Sequence, residues 1–116
     1  MATLDVVPER LGQGLLGTSP TLIYTVPGAP VVSATIRSIV VTNLTEDFHA
    51  ASLWLVPTGS AVNDSTALVK NTPVSPTGVL FDDGVHVLMT GGQVWGSGDA
   101  VSVFTLTVDG AESVTA

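Results

Sequence analysis

The stretch Val31-Val-Ser-Ala-Thr-Ile-Arg-Ser-Ile-Val-Val-Thr-Asn43 decides the fold class. It is the longest β-favouring run in the chain. Its centre, Ile36-Arg-Ser-Ile-Val-Val-Thr42, is dominated by β-branched residues, which are stiff in a helix and pack well on a pleated surface. On its N-terminal side, Thr21-Leu-Ile-Tyr-Thr-Val26 has the same character and is closed by Pro27-Gly28 and Pro30. On its C-terminal side, the polar run Asn43 to Asp47 predicts a turn. His49 to Val56 then alternates, with Ala51, Leu53 and Leu55 on one face and Ser52, Trp54 and Val56 on the other.

The same punctuation continues to the end of the chain. Pro57-Thr-Gly-Ser60 stops the alternating strand. Asn63-Asp-Ser-Thr66 suits the start of a short helix reaching Lys70, of one turn or so, which β-branched Val69 does not favour. Pro73 and Pro76 mark a further turn region. Gly78 to Phe81, Val85 to Met89, Gln93 to Gly96 and Val101 to Val108 read as strands. Between them lie Asp82-Asp83-Gly84, Thr90-Gly91-Gly92 and Ser97-Gly98-Asp99, all turn-forming. In the last strand Phe104, Leu106 and Val108 share the face that suits a core.

About seven or eight short antiparallel strands, with no helix longer than a turn or two, predict an all-β protein: a single β-sandwich, immunoglobulin-like or jelly-roll-like, over residues 21–116. Residues 1–20 have no sustained periodicity. Pro8, Gly12, Gly14 and Gly17 interrupt Leu11, Leu15 and Leu16, which suggests an extended N-terminal arm or a loosely attached strand.

The chain has 116 residues, 45% hydrophobic and 11% charged, against roughly 25% charged in an ordinary soluble domain. Low charge with this apolar content is the reverse of disorder. No apolar run reaches the roughly 18 residues of a spanning helix. Ten acidic against three basic residues, a net charge of −7, give no means of gripping nucleic acid or an anionic membrane. The start, Met1-Ala-Thr-Leu-Asp-Val-Val-Pro8, lacks the basic and apolar regions of a signal peptide, so secretion by that route is not expected. With no cysteine, disulfides, thiol catalysis and zinc-thiolate sites are excluded.

The catalytic inventory is thin. There are two histidines, His49 and His86, and no Gly-x-Ser-x-Gly elbow to activate a serine beside either. Asp82, Asp83 and His86, or Glu46, Asp47 and His49, put carboxylates within four residues of an imidazole, but without the spacing of a zinc site or a calcium loop. The expectation is no enzyme, no cofactor and no metal. Trp54, Trp95 and Tyr24 are the residues on which a sugar ring could stack, if the chain were a carbohydrate-binding module.

Several segments taken together resemble small tailed-bacteriophage virion proteins: Arg10-Leu-Gly-Gln13, Thr21-Leu-Ile-Tyr-Thr-Val-Pro27, Ile36-Arg-Ser-Ile-Val-Val-Thr-Asn43, Gly84-Val-His-Val-Leu88, Gly91-Gly-Gln-Val-Trp95 and Asp109-Gly-Ala-Glu112. The sequence departs from that pattern in having Gly-Gly-Gln where Gly-Asp is more usual. The resemblance implies a non-enzymatic virion component, made in the host cytoplasm and carried in the particle. The kind favoured is a capsid decoration or accessory protein that contacts the major capsid protein or other virion proteins. It also implies a homo-oligomer, a trimer being favoured. Oligomer contacts are expected from the arm, through Leu4, Val6, Val7, Arg10, Leu11, Leu15 and Leu16, from an exposed Val/Thr-rich sheet face, and from Arg37, a lone cation in the longest strand. The alternative is a tail- or fibre-associated module that binds host-surface carbohydrate through Tyr24, Trp54 and Trp95.

Overall fold

The computed structural model describes residues 4–115, and side chains over 10–114. Within these residues there are nine strands: β1 (Leu4–Leu15), β2 (Thr21–Thr25), β3 (Val31–Asn43), β4 (His49–Val56), β5 (Ala67–Val74), β6 (Val79–Asp82), β7 (His86–Met89), β8 (Gln93–Gly98) and β9 (Phe104–Thr115). They form two antiparallel sheets. One has the order β1-β9-β3-β6, with β7 also on β3; the other has the order β2-β8-β4-β5. The molecule is a β-sandwich, elongated at 54 × 25 × 20 Å because β1, β3 and β9 are each twelve or thirteen residues long.

The core lies between the sheets. From the first come Ala34, Ile36, Ile39 and Val41 of β3 with Phe104, Leu106 and Val108 of β9; from the second come Ala51 and Leu53 of β4 with Val94 of β8. The face expected of the last strand is therefore the buried one. On β4 the alternation fails, because Ser52, Trp54 and Val56 on the outward face are buried as well.

Residues 4–15, expected as an arm or loosely attached strand, form a strand of the sandwich. β1 pairs with β9 from Leu4↔Thr115 to Leu15↔Thr105, with one register shift between Arg10 and Gly12. The chain then turns inward: the Leu16 amide donates to the Phe104 carbonyl at 3.0 Å, and the Leu16 side chain is 2% exposed. Leu16 cannot serve a partner from there.

Two strands run further than the sequence suggests, β8 into the expected Ser97-Gly98-Asp99 turn and β9 beyond the expected end at Val108, for a common reason. At Gly98 an added Cβ would lie 2.7 Å from Cδ2 of Phe104, and at Gly110 it would lie 2.1 Å from the Thr35 carbonyl oxygen. These glycines are present because another group passes where a side chain would be. Accordingly β8 continues to Gly98, and β9 runs on past Asp109-Gly110 to Thr115.

The expected short helix reaching Lys70 is only a 3-10 turn, Asp64–Thr66. Asn63 caps it, its Oδ1 accepting from the Ser65 amide at 2.9 Å. Beyond Thr66 the chain is claimed by β4, with Val69 opposite Leu53 and Ala67 opposite Trp54. Tertiary pairing overrides a weak local helix signal.

Buried Asn43 fixes the exit of β3. Its amide donates to the carbonyls of Asp47 at 2.8 Å and of Val74 and Ser75 at 3.2 Å, while its Oδ1 accepts from the Thr45 amide and hydroxyl at 2.9 Å each. One side chain thus satisfies backbone groups from the β3–β4 turn and the end of β5.

Candidate functional site

The residues with chemical potential are distributed over the sandwich rather than gathered in a cleft. His49, at the start of β4, was expected beside Glu46 and Asp47. Its partner is instead Asp99, fifty residues on, with Nδ1 2.7 Å from Asp99 Oδ1 and the imidazole edge-on to Phe104 at 6.3 Å. The second Asp99 oxygen accepts from the Ala50 amide at 2.9 Å. Partial burial pushes this carboxyl up, but the Ala50 amide and His49 outweigh it and hold the group below the ordinary aspartate range. A depressed folded-state value means stability present at neutral pH and lost as pH falls through that depressed value. Asp99→Asn is therefore expected to lower stability by only about 0.5 kcal/mol at pH 7, since the carboxylate is half exposed and screened, and by nothing at strongly acid pH. Urea titrations at both pH values check this.

The other histidine is also occupied. His86 Nε2 lies 3.2 Å from Asp82 Oδ2, and Asp82 Oδ1 accepts from the Gly84 amide at 2.8 Å. Asp82 is thus an internal tie across the β6–β7 turn. Among the described residues no group of three or more acidic or histidine side chains is placed to hold a metal ion. A cavity of about 340 Å³ lies at the end of the second sheet, lined by Leu55, Pro57, Ser60, Ser65, Thr66, Ala67 and Leu68. It has no ionisable lining, so it offers neither an acid nor a base.

The aromatic residues are less available than their count suggests. Trp54 and Trp95 are cross-strand neighbours on the outward face of the second sheet. Trp54 is 7% exposed, and its indole N–H is buried without a hydrogen-bond partner among the described residues. Trp95 is half-buried and donates from Nε1 to Gln93 Oε1 at 2.9 Å. Tyr24 is buried in the core, its hydroxyl donating to Glu112 Oε2 at 2.5 Å. Of the three expected stacking residues, Trp95 alone presents a substantial surface.

The expected interface residues separate in the same way. Leu4, Val6 and Val7 belong to β1, but their side chains lie outside the described residues. Leu11 is half-buried against the core, and Leu16 is within it. Leu15 and Arg10 are exposed on the outward face of the first sheet. Arg10 Nε lies 3.6 Å from Asp109 Oδ1 and its Nη1 donates to Gln13. Arg37 is exposed at an irregularity of β3, between Ile36 and Ser38, with no ion pair among the described residues.

A Val/Thr-rich sheet face was also expected, but the sequence did not say which strands would form it. β6 and β7 lie end to end along β3 and expose Val79, Phe81, Val87 and Met89, each more than half accessible. In a strand, alternation identifies two faces but not which of them is covered. Here the inward side chains are Leu80 and Leu88, and nothing among the described residues covers the others.

No family model matches this chain, and no curated protein does. Among solved structures it is similar to a chain in the structure of infectious bursal disease virus Gx strain, at 10% identity and a TM-score of 0.46. The match covers 98% of this chain and 32% of that one, so the protein spans about a third of the length of its structural neighbour. Likeness of this degree speaks to neither activity nor partner.

Proposed function

We infer that the protein is a non-enzymatic structural component of a phage virion, of the capsid decoration or accessory kind. In this reading it stabilises the particle through contacts with the major capsid protein and with copies of itself. The observation that carries the reading is the outward face of the first sheet: broad, without net charge among its described residues, and bordered by exposed Val79, Phe81, Val87 and Met89. Free monomers rarely leave a contiguous apolar patch of this kind uncovered. The chain's low charge fits a surface meant for other protein surfaces.

Purified virions provide the test. Mass spectrometry of the particles is expected to find the protein at a stoichiometry fixed by the lattice, and imaging to place it on the shell. Its absence from washed particles overturns the reading.

A second reading, carbohydrate binding on a tail or fibre, is favoured by half-exposed Trp95 beside the Gln93 amide. Binding on a glycan array that is lost in Trp95→Ala supports it; a blank array removes it.

A further inference from the structure

We propose that the outward face of the β1-β9-β3-β6/β7 sheet is a self-association surface, covered by a second copy of this chain through a two-fold contact centred on Arg37 and Asp83. This rests on the reading of the protein as an assembly subunit, and it replaces threefold self-contact with a two-fold one on a named surface.

The local geometry comes from β3. β7 pairs with Ser33–Ile36 and β6 with Ile39–Thr42, so the 83–85 turn stands opposite Arg37 and Ser38. Arg37 is the extra residue where β3 shifts register against β9. A bulge of this kind re-aims a side chain, and Arg37 is exposed. Asp83 is exposed too, and neither residue has an ion-pair partner among the described residues. A cation and an anion therefore sit unpaired in the middle of an apolar border, with Val79 and Phe81 on one side and Val87 and Met89 on the other.

Charge decides which occupant suits this face. Arg10 and Asp109 neutralise one another, and the β3 and β9 positions between them and the border are Thr35, Val40, Thr42, Thr105 and Thr107. The described face therefore sums to zero on a chain of net charge −7. Two copies of such a chain repel through their acidic turns, and this face adds nothing to that repulsion. Placed about a two-fold axis, Arg37 of each copy meets Asp83 of the partner subunit, so the surface complements itself. Edge-to-edge strand addition is a poorer alternative, because β6 and β7 are four residues each and a charged turn divides them.

Sedimentation equilibrium of the full chain tests the surface. The wild type is expected to be a dimer at micromolar concentration. Phe81→Lys should weaken dimerisation by about 100-fold, and Arg37→Asp by about tenfold. Because the contact is reciprocal, adding Asp83→Arg to Arg37→Asp should restore it to within about threefold of wild type. Circular dichroism establishes that each variant keeps its sheets. A monomer at every concentration, a trimer, or a dimer indifferent to these changes overturns the proposal. A dimer that behaves as expected but is absent from virions supports this surface and overturns the virion reading. A chain that joins virions equally well as wild type and Phe81→Lys, and is monomeric in solution, does the reverse.

Discussion

A chain beginning at Thr18 is expected to lose cooperative folding at room temperature. Truncation there removes β1, which is hydrogen-bonded to β9 along its length, and Leu16, which is 2% exposed beneath Phe104 and Leu106. Leu16→Ala alone should cost about 3 kcal/mol, through lost burial and the cavity left behind. Losing the whole strand also strips the ladder from one side of β9 and uncovers the core beside half-buried Leu11. Against a total of about 5–15 kcal/mol for a domain of this size, that loss is comparable with the whole stability. Thermal melts followed by circular dichroism decide the matter: a sharp transition within a few degrees of the full chain shows β1 to be dispensable.

Gly110→Val is expected to destabilise the fold by about 3 kcal/mol or more, although the residue lies beyond the expected end of the last strand. The new Cβ would meet Thr35 O at 2.1 Å and Ile36 Cα at 3.1 Å, both backbone atoms of the strand that joins β9 to β6 and β7. A side chain can rotate away from a clash, but backbone in the centre of a sheet can yield only by moving the ladder. Gly28→Ala is the control: nothing lies within 4 Å of its added Cβ, and a change below about 0.5 kcal/mol is expected. Urea denaturation of both variants measures the contrast.

These two positions show how far the sequence could be read. β-branched composition and turn residues identified an all-β sandwich, and alternation picked out Phe104, Leu106 and Val108 as core. What it missed depends on groups distant along the chain. Gly98 reads as a turn residue and the last strand reads as ending before Gly110; that these glycines make room for Phe104 and Thr35 is visible only once the strands are laid together. His49 similarly sits three residues from Glu46 and two from Asp47, yet binds Asp99. Residues 4–15 lacked periodicity because their glycines lie where β1 crosses closely packed groups, as Gly12 does against the Ile23 carbonyl, 2.7 Å from an added Cβ. For the candidate surface, Arg37 was legible as an unusual charge in a long strand. Its apolar border was not, because Val79, Phe81, Val87 and Met89 become a band only when β6 and β7 align along β3.

The outer margins of both sheets are each spoiled by a different device. β1 carries Pro8, which has no amide to donate, and a register shift; β2 shifts register between Leu22 and Tyr24; β5 contains Pro73 and left-handed Asn71; and the fourth margin is split between β6 and β7. A net charge of −7 keeps copies apart at long range, but it does not by itself stop a strand from adding to an open margin and growing into a cross-β fibre. Here backbone geometry supplies that protection: no margin offers an uninterrupted template for an incoming strand. Copies that meet at high concentration therefore find no open margin along which to grow strand by strand.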